Sequence, residues 1–159
     1  MIVIGLTGGI ASGKTTIVNF LKKKRFIIHD SDAVVKKIYS KPTPRFLKYL
    51  KSINLSNSIK GKKIDKSTIR EDIFNNQSKK RKLEKFIHKE VKKSREVFLK
   101  KHRRKKTKIV ILDIPLLFEV RLEHICNYIF LLYLPKKLKV KRALVRKGMK
   151  KNLILKILK

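Results

Sequence analysis

The chain has 159 residues, 42% of them hydrophobic, and a formal net charge of +33 at pH 7 from 44 basic and 11 acidic side chains. This length makes one domain the default and allows a substantial core, the lone Cys126 excludes an internal disulfide, and no apolar run of about 18 residues is present to cross a membrane. No basic leader with a cleavage site opens the sequence, so a cytoplasmic protein without a membrane partner is expected.

The positive charge is spread over almost every segment rather than gathered on one stripe. It reads as lysine filling solvated positions, so no specific nucleic-acid partner is expected. What it does predict is attraction of phosphorylated small molecules and a weak, salt-sensitive hold on RNA.

Taken in chain order, Ile2 to Leu6 read as a short buried strand that breaks into Gly8-x-x-x-x-Gly13-Lys14-Thr15. This is the spacing of a phosphate-binding P-loop. Glycines let the backbone curl until successive N–H groups face one anion, Lys14 reaches the β- and γ-phosphates, and Thr15 offers a hydroxyl to Mg²⁺. A helix from Thr15 to Lys24, with Ile17, Phe20 and Leu21 at helical spacing, adds its positive dipole end, which a ligand-free glycine turn would not need.

Phe26 to His29 reads as a second strand ending at Asp30-Ser31-Asp32, with a helix from Ala33 to Tyr39 stopped by Pro42-Thr43-Pro44. The stretch to about Lys63 is Ser-, Asn- and Lys-rich and reads as loop or frayed helix. Asp65 or Ser67 is expected to cap a short helix carrying Ile69, Ile73 and Phe74 on one face. A longer helix from Ser78 to Lys101 shows a stripe of Leu83, Phe86, Ile87, Val91, Val97 and Phe98, followed by Lys100 to Lys106 as a solvated turn.

Lys108 to Ile114 and Tyr128 to Leu134 read as two further buried strands, with Pro115-Leu116-Leu117-Phe118-Glu119, a short helix and a buried Cys126 between them. Beyond Pro135 a basic helix is expected to run to about Lys147 and be capped by Gly148, with an amphipathic segment to Lys159. The order of elements argues for an α/β fold, a parallel sheet flanked by helices with a mainly helical second lobe.

A P-loop alone does not distinguish kinase, GTPase and motor. No Asn/Thr-Lys-x-Asp guanine-reading motif is present, and the early acidic pair with a late basic helix suits a kinase for a small metabolite. The chain resembles the dephospho-CoA kinase family over almost its whole length. The resemblance runs through Gly5 to Thr16, Asp30-Ser31-Asp32, Gly61-Lys62-Lys63-Ile64-Asp65 with Ile73-Phe74, Leu83-Glu84 with Ile87-His88, and Asp113 to Glu119.

That resemblance implies a P-loop NTPase-like sheet formed by residues 1–32 and 108–134, a helical acceptor lobe over about 33–107 and a lid over about 135–150. It implies transfer of the ATP γ-phosphate to the ribose 3′-hydroxyl of dephospho-CoA, with Mg²⁺. ATP would be held by Gly8, Gly9, Ala11, Ser12, Gly13, Lys14, Thr15 and Thr16, with Arg142 and Arg146 closing over the phosphates from one helix face. Asp32 would be the base for the acceptor hydroxyl, against the competing reading of a helix cap, and Lys14 and Arg142 would serve the transfer itself. Lys36, His88, Pro115, Leu116 and Glu119 would shape the acceptor site, and Asp113 would hold a metal-bound water unless it merely caps. His88 also reads as a structural histidine.

Four departures from the family stand out. Lys36 and Lys66 replace arginines and lose the planar fork, Lys89 replaces a proline, and Lys139 stands where a glutamine precedes the lid arginine. The family also continues past the lid with a strand and a helix, so a sheet short of an edge strand and an adenine pocket short of a wall are expected. The alternatives are another small-metabolite or nucleoside P-loop kinase, or a degenerate protein that binds nucleotide or RNA without turnover. Oligomeric state is left open.

Overall fold

The computed structural model describes residues 1–61, 63–74 and 76–145. The chain divides into two compact units, one formed by 1–30 with 102–159 and the other by 31–101.

In the first unit, strands β1 (Ile2–Gly8), β2 (Ile28–Asp30), β5 (Ile109–Asp113) and β6 (Tyr128–Leu132) form one parallel sheet in the order β2-β5-β1-β6. The inner pair explains the apolar runs: Val110 and Leu112 on one face of β5 and Ile111 on the other are all buried, because strands covered on both faces need no polar alternation. The expected burial of the fourth strand is corrected. β6 is an edge strand, pairs only with β1 among the described residues, and leaves Tyr128, Phe130 and Leu131 exposed.

Helix α1 (Lys14–Lys23) also turns differently from the expected face. Val18 and Leu21, three apart, pack on Leu6 and Ile111, which leaves Ile17 and Phe20, one position off that stripe, exposed.

The second unit contains α2 (Ser31–Ser40), α3 (Pro44–Ser52), a hairpin of β3 (Ile59–Lys60) and β4 (Lys63–Ile64), and α4 (Lys66–Phe74). Its longest helix is α5 (Gln77–Arg104). Its core joins Phe46, Leu50, Leu55, Ile69, Leu83, Phe86 and Ile87, with the Phe46 and Phe86 rings stacked at 5.2 Å.

Two expectations fail here. The stretch after Pro42, read as loop or frayed helix, begins with a well-capped helix: Thr43 caps α3 by accepting a 3.2 Å bond from Phe46 N, and Pro44 occupies a first-turn position, where its missing N–H loses nothing. The basic run after Lys100 is no turn as far as Arg104. Lysine and arginine are good helix formers and are favoured at a helix C-terminus. Phe74 and Val97, expected on apolar faces, are exposed at 82% and 60%.

Asp65 rather than Ser67 caps α4, accepting from Ser67 N at 2.9 Å, from Ser67 Oγ and from Thr68 Oγ1. These bonds stabilise the charged form and hold its carboxyl below the ordinary aspartate value.

Candidate active site

The end of β1 carries the loop from Gly8 to Gly13 into α1. Gly8 must lack a side chain because a Cβ there would lie 2.7 Å from Ser12 Oγ and 2.9 Å from Leu132 O. Gly13, at φ 92°, takes a left-handed conformation at the N-cap of α1. The helix therefore starts at Lys14 with its N-terminal amides facing the loop, as anion binding requires.

Ala11 is also left-handed, at φ 57°, a strained geometry for an L residue. It is buried against Ala143, with Ile10 and Val140 packed beside them, so a small apolar clasp joins the loop to α6 (Lys136–Leu144).

Lys14 extends to Asp113, the last residue of β5, with Nζ 2.6 Å from Oδ1, and both side chains are largely buried. Asp113 is thus the partner of the loop lysine, a role beyond the metal-water and cap readings. A parallel arrangement sits on the adjacent strand: Asp30 is in register with Asp113, and Lys22 of α1 reaches Asp30 Oδ2 at 2.9 Å. Ser12 Oγ is buried with no hydrogen-bond partner among the described residues, and Thr15 and Thr16 are exposed on the first turn of α1. An unpaired buried hydroxyl beside converging amides fits a phosphate oxygen as its partner.

Within this unit the structure brings together Gly8, Gly9, Gly13, Lys14, Asp113 and Arg142, whose Nη1 lies 3.5 Å from where a Gly13 Cβ would stand. Pro115 is tied to β1 through its carbonyl, which accepts from Thr7 Oγ1 at 3.1 Å, while Leu116 and Glu119 are exposed on the following turn. Arg146 and the Gly148 cap lie outside the described residues.

The other site residues belong to the second unit. Asp32 is exposed inside the first turn of α2, which starts at Ser31, so the reading of Asp32 as a cap ahead of Ala33 does not hold. Lys36 is exposed on α2 and His88 is exposed on α5.

Lys139, which the sequence marks only as a departure from the family's glutamine, also approaches the loop: its Nζ comes within 3.9 Å of a Gly9 Cβ position, and its three-residue spacing to Arg142 places both on one helix face.

The sequence model of the dephospho-CoA kinase family matches residues 2–159. The chain is 30% identical to a dephospho-CoA kinase of Bacillus licheniformis over 151 residues, covering 95% of this chain and 75% of that protein. It is 33% identical to one of Fusobacterium nucleatum over 160 residues, covering 100% and 80%. Among solved structures, TT1252 from Thermus thermophilus superposes with a TM-score of 0.77 at 27% identity over 99% of this chain and 78% of that one. The dephospho-CoA kinase from Campylobacter jejuni gives a TM-score of 0.68 at 27% identity over 97% and 77%. Sequence and fold agree over nearly the whole length, and the chain belongs to the dephospho-CoA kinase family.

Proposed function

We propose that this chain transfers the γ-phosphate of ATP to the ribose 3′-hydroxyl of dephospho-CoA, giving coenzyme A and ADP, in the cytoplasm. The observation that carries this reading is the P-loop whose lysine is paired with the acid at the end of β5, in a chain matched by the family over residues 2–159.

In this reading the amides from Gly9 to Thr15 cradle the β- and γ-phosphates, and Lys14 moves from Asp113 to the transferring phosphoryl group. Ser12 Oγ gains the partner it lacks. Thr15 would offer its hydroxyl to Mg²⁺ and Asp113 would hold one of the water molecules on the cation, which on triphosphates keeps water and phosphate ligands beside one or two protein groups. Bound there, the cation neutralises charge on the phosphoryl oxygens.

The unit 31–101 serves as the acceptor lobe and α6 as the lid. Asp32 takes the proton of the attacking 3′-hydroxyl as the new O–P bond forms and the bond to the ADP oxygen breaks. Lys36, His88, Pro115, Leu116 and Glu119 shape the acceptor site, with Arg142 and Arg146 on the ATP side.

The test is product mass after incubation of the chain with ATP, Mg²⁺ and one acceptor at a time from dephospho-CoA, adenosine and shikimate. Phosphorylation of dephospho-CoA, abolished by a Mg²⁺ chelator, is the expected result. Phosphorylation of another acceptor alone, or ATP binding with no product, would overturn the reading.

A further inference from the structure

Helix α6 brings two cations to the phosphate loop. Arg142 Nη1 stands 3.5 Å from the Cβ position of Gly13, and Lys139 Nζ stands 3.9 Å from that of Gly9. The two glycines bracket the loop, so the cations meet its two ends.

Their placement is enforced by packing. Ala143 is fully buried in one cluster with Ala11, and Val140 and Ile10 pack against that pair, so the residues neighbouring both cations on α6 are fixed to the loop itself. The Lys139 ammonium is further located by the Tyr133 ring, 5.0 Å from its centroid.

Two like charges held at one loop repel each other, and among the described residues neither is ion-paired with a carboxylate. Lys14, the cation that a P-loop normally presents, is engaged with Asp113 in the same structure. An arriving polyanion therefore encounters the α6 cations first, and it relieves their mutual repulsion.

We propose that Lys139 is a further phosphate-binding residue of this chain, contacting the triphosphate of a nucleotide across the Gly9 end of the loop while Arg142 does so at the Gly13 end. The inference rests on the kinase reading for the identity of the ligand, and it deepens that reading by assigning the residue that stands in place of the family's glutamine.

The test is direct titration with ATP, ADP and AMP in the absence of acceptor. Lys139→Met keeps the stem over Tyr133 and removes the charge, and Lys139→Gln removes charge with a polar end. Lys137→Met and Lys141→Met, exposed and on other faces of α6, control for the loss of one positive charge from a strongly basic chain.

Both Lys139 variants are expected to bind ATP about 5- to 20-fold more weakly, AMP nearly unchanged, with Lys139→Arg close to the unaltered chain and the controls within about twofold. The difference should shrink as salt rises from about 0.05 to about 0.5 M. If both Lys139 variants bind ATP as the unaltered chain does, or lose no more than the controls, or if the unaltered chain itself does not bind ATP, the proposal is wrong. Failure of the kinase reading is separable, since it shows as absent turnover of dephospho-CoA by a chain whose ATP affinity still depends on Lys139.

Discussion

Lys14 Nζ and Asp113 Oδ1 lie 2.6 Å apart, an ion pair spanning 99 positions of sequence with side chains only 12% and 5% exposed. An internal carboxylate therefore holds the loop lysine in this structure, and in the proposed mechanism a phosphate would have to draw it away. Little water screens the exchange, so either member of the pair should be sensitive to substitution.

Lys14→Ala is expected to lower kcat by about 10²–10³, because a charge aimed at the transferring phosphoryl group is lost. Asp113→Asn should act in two directions. Without Mg²⁺ it should bind ATP about 3- to 10-fold more tightly, since the lysine is released and one negative charge removed. With Mg²⁺ its turnover should fall about 10- to 100-fold as the carboxylate that would hold a metal-bound water disappears. Titrations with and without chelator, beside steady-state rates, decide the matter. Weaker Mg²⁺-free binding by Asp113→Asn would remove the competition between acid and phosphate.

Gly8 and Gly9 are neighbours with opposite tolerance. A Cβ on Gly8 meets Ser12 Oγ and the Leu132 backbone at 2.7 and 2.9 Å, whereas the nearest atom to a Cβ on Gly9 is Lys139 Nζ, at an ordinary contact distance of 3.9 Å. Gly8→Ala is expected to destabilise by about 1–3 kcal/mol through overpacking and to lose ATP binding. Gly9→Ala should stay within about 0.5 kcal/mol. Thermal melts with and without ATP separate them, and equal melting temperatures would contradict the packing argument.

Asp32→Asn should cut kcat by about 10²–10⁴ with ATP affinity retained, since a base is lost and the phosphate cradle is not. The exposed carboxylate in the first turn of α2 also favours the helix dipole by about 0.3–1 kcal/mol, so a small drop in melting temperature is expected as well. Loss of stability without a rate defect would leave Asp32 a purely structural acid.

The cap of α4 carries a pH dependence. Hydrogen bonds from Ser67 and Thr68 hold the Asp65 pKa below the ordinary aspartate value, so the folded chain binds this proton less readily than the unfolded one. The stabilisation is complete above the unfolded pKa and disappears as pH falls through the lower folded value. Melting temperatures of the unaltered chain and Asp65→Ala should therefore differ by a constant amount between about pH 5 and pH 8 and converge below about pH 4. A gap that widens in acid would contradict the assignment.

The loop and its two flanking elements were legible because glycine geometry and phosphate chemistry leave few residues able to serve. Parallel inner strands were legible as apolar runs. What escaped depends on neighbours. The run from Tyr128 looks as apolar as that from Ile109, yet only its place at the sheet edge leaves Phe130 exposed. Pro44 reads as a helix breaker in isolation, although the preceding Thr43 makes it a starting signal. The Lys14–Asp113 pair and the reach of Lys139 to Gly9 arise from contacts distant in sequence, which spacing alone does not encode.

The sheet pairs Ile2 with Ile109 and Leu6 with Asp113, so the first strand made is completed by one synthesised more than a hundred residues later. The continuous segment 31–101 lies between them and carries its own core. During synthesis β1 must remain unpaired while this segment emerges, and ordering the segment shortens the effective loop to be closed before β5 docks. Folding speed is then set by the inserted helices as much as by the strands. A loosened Phe46, by slowing the ordering of this segment, would delay assembly of the phosphate loop as well.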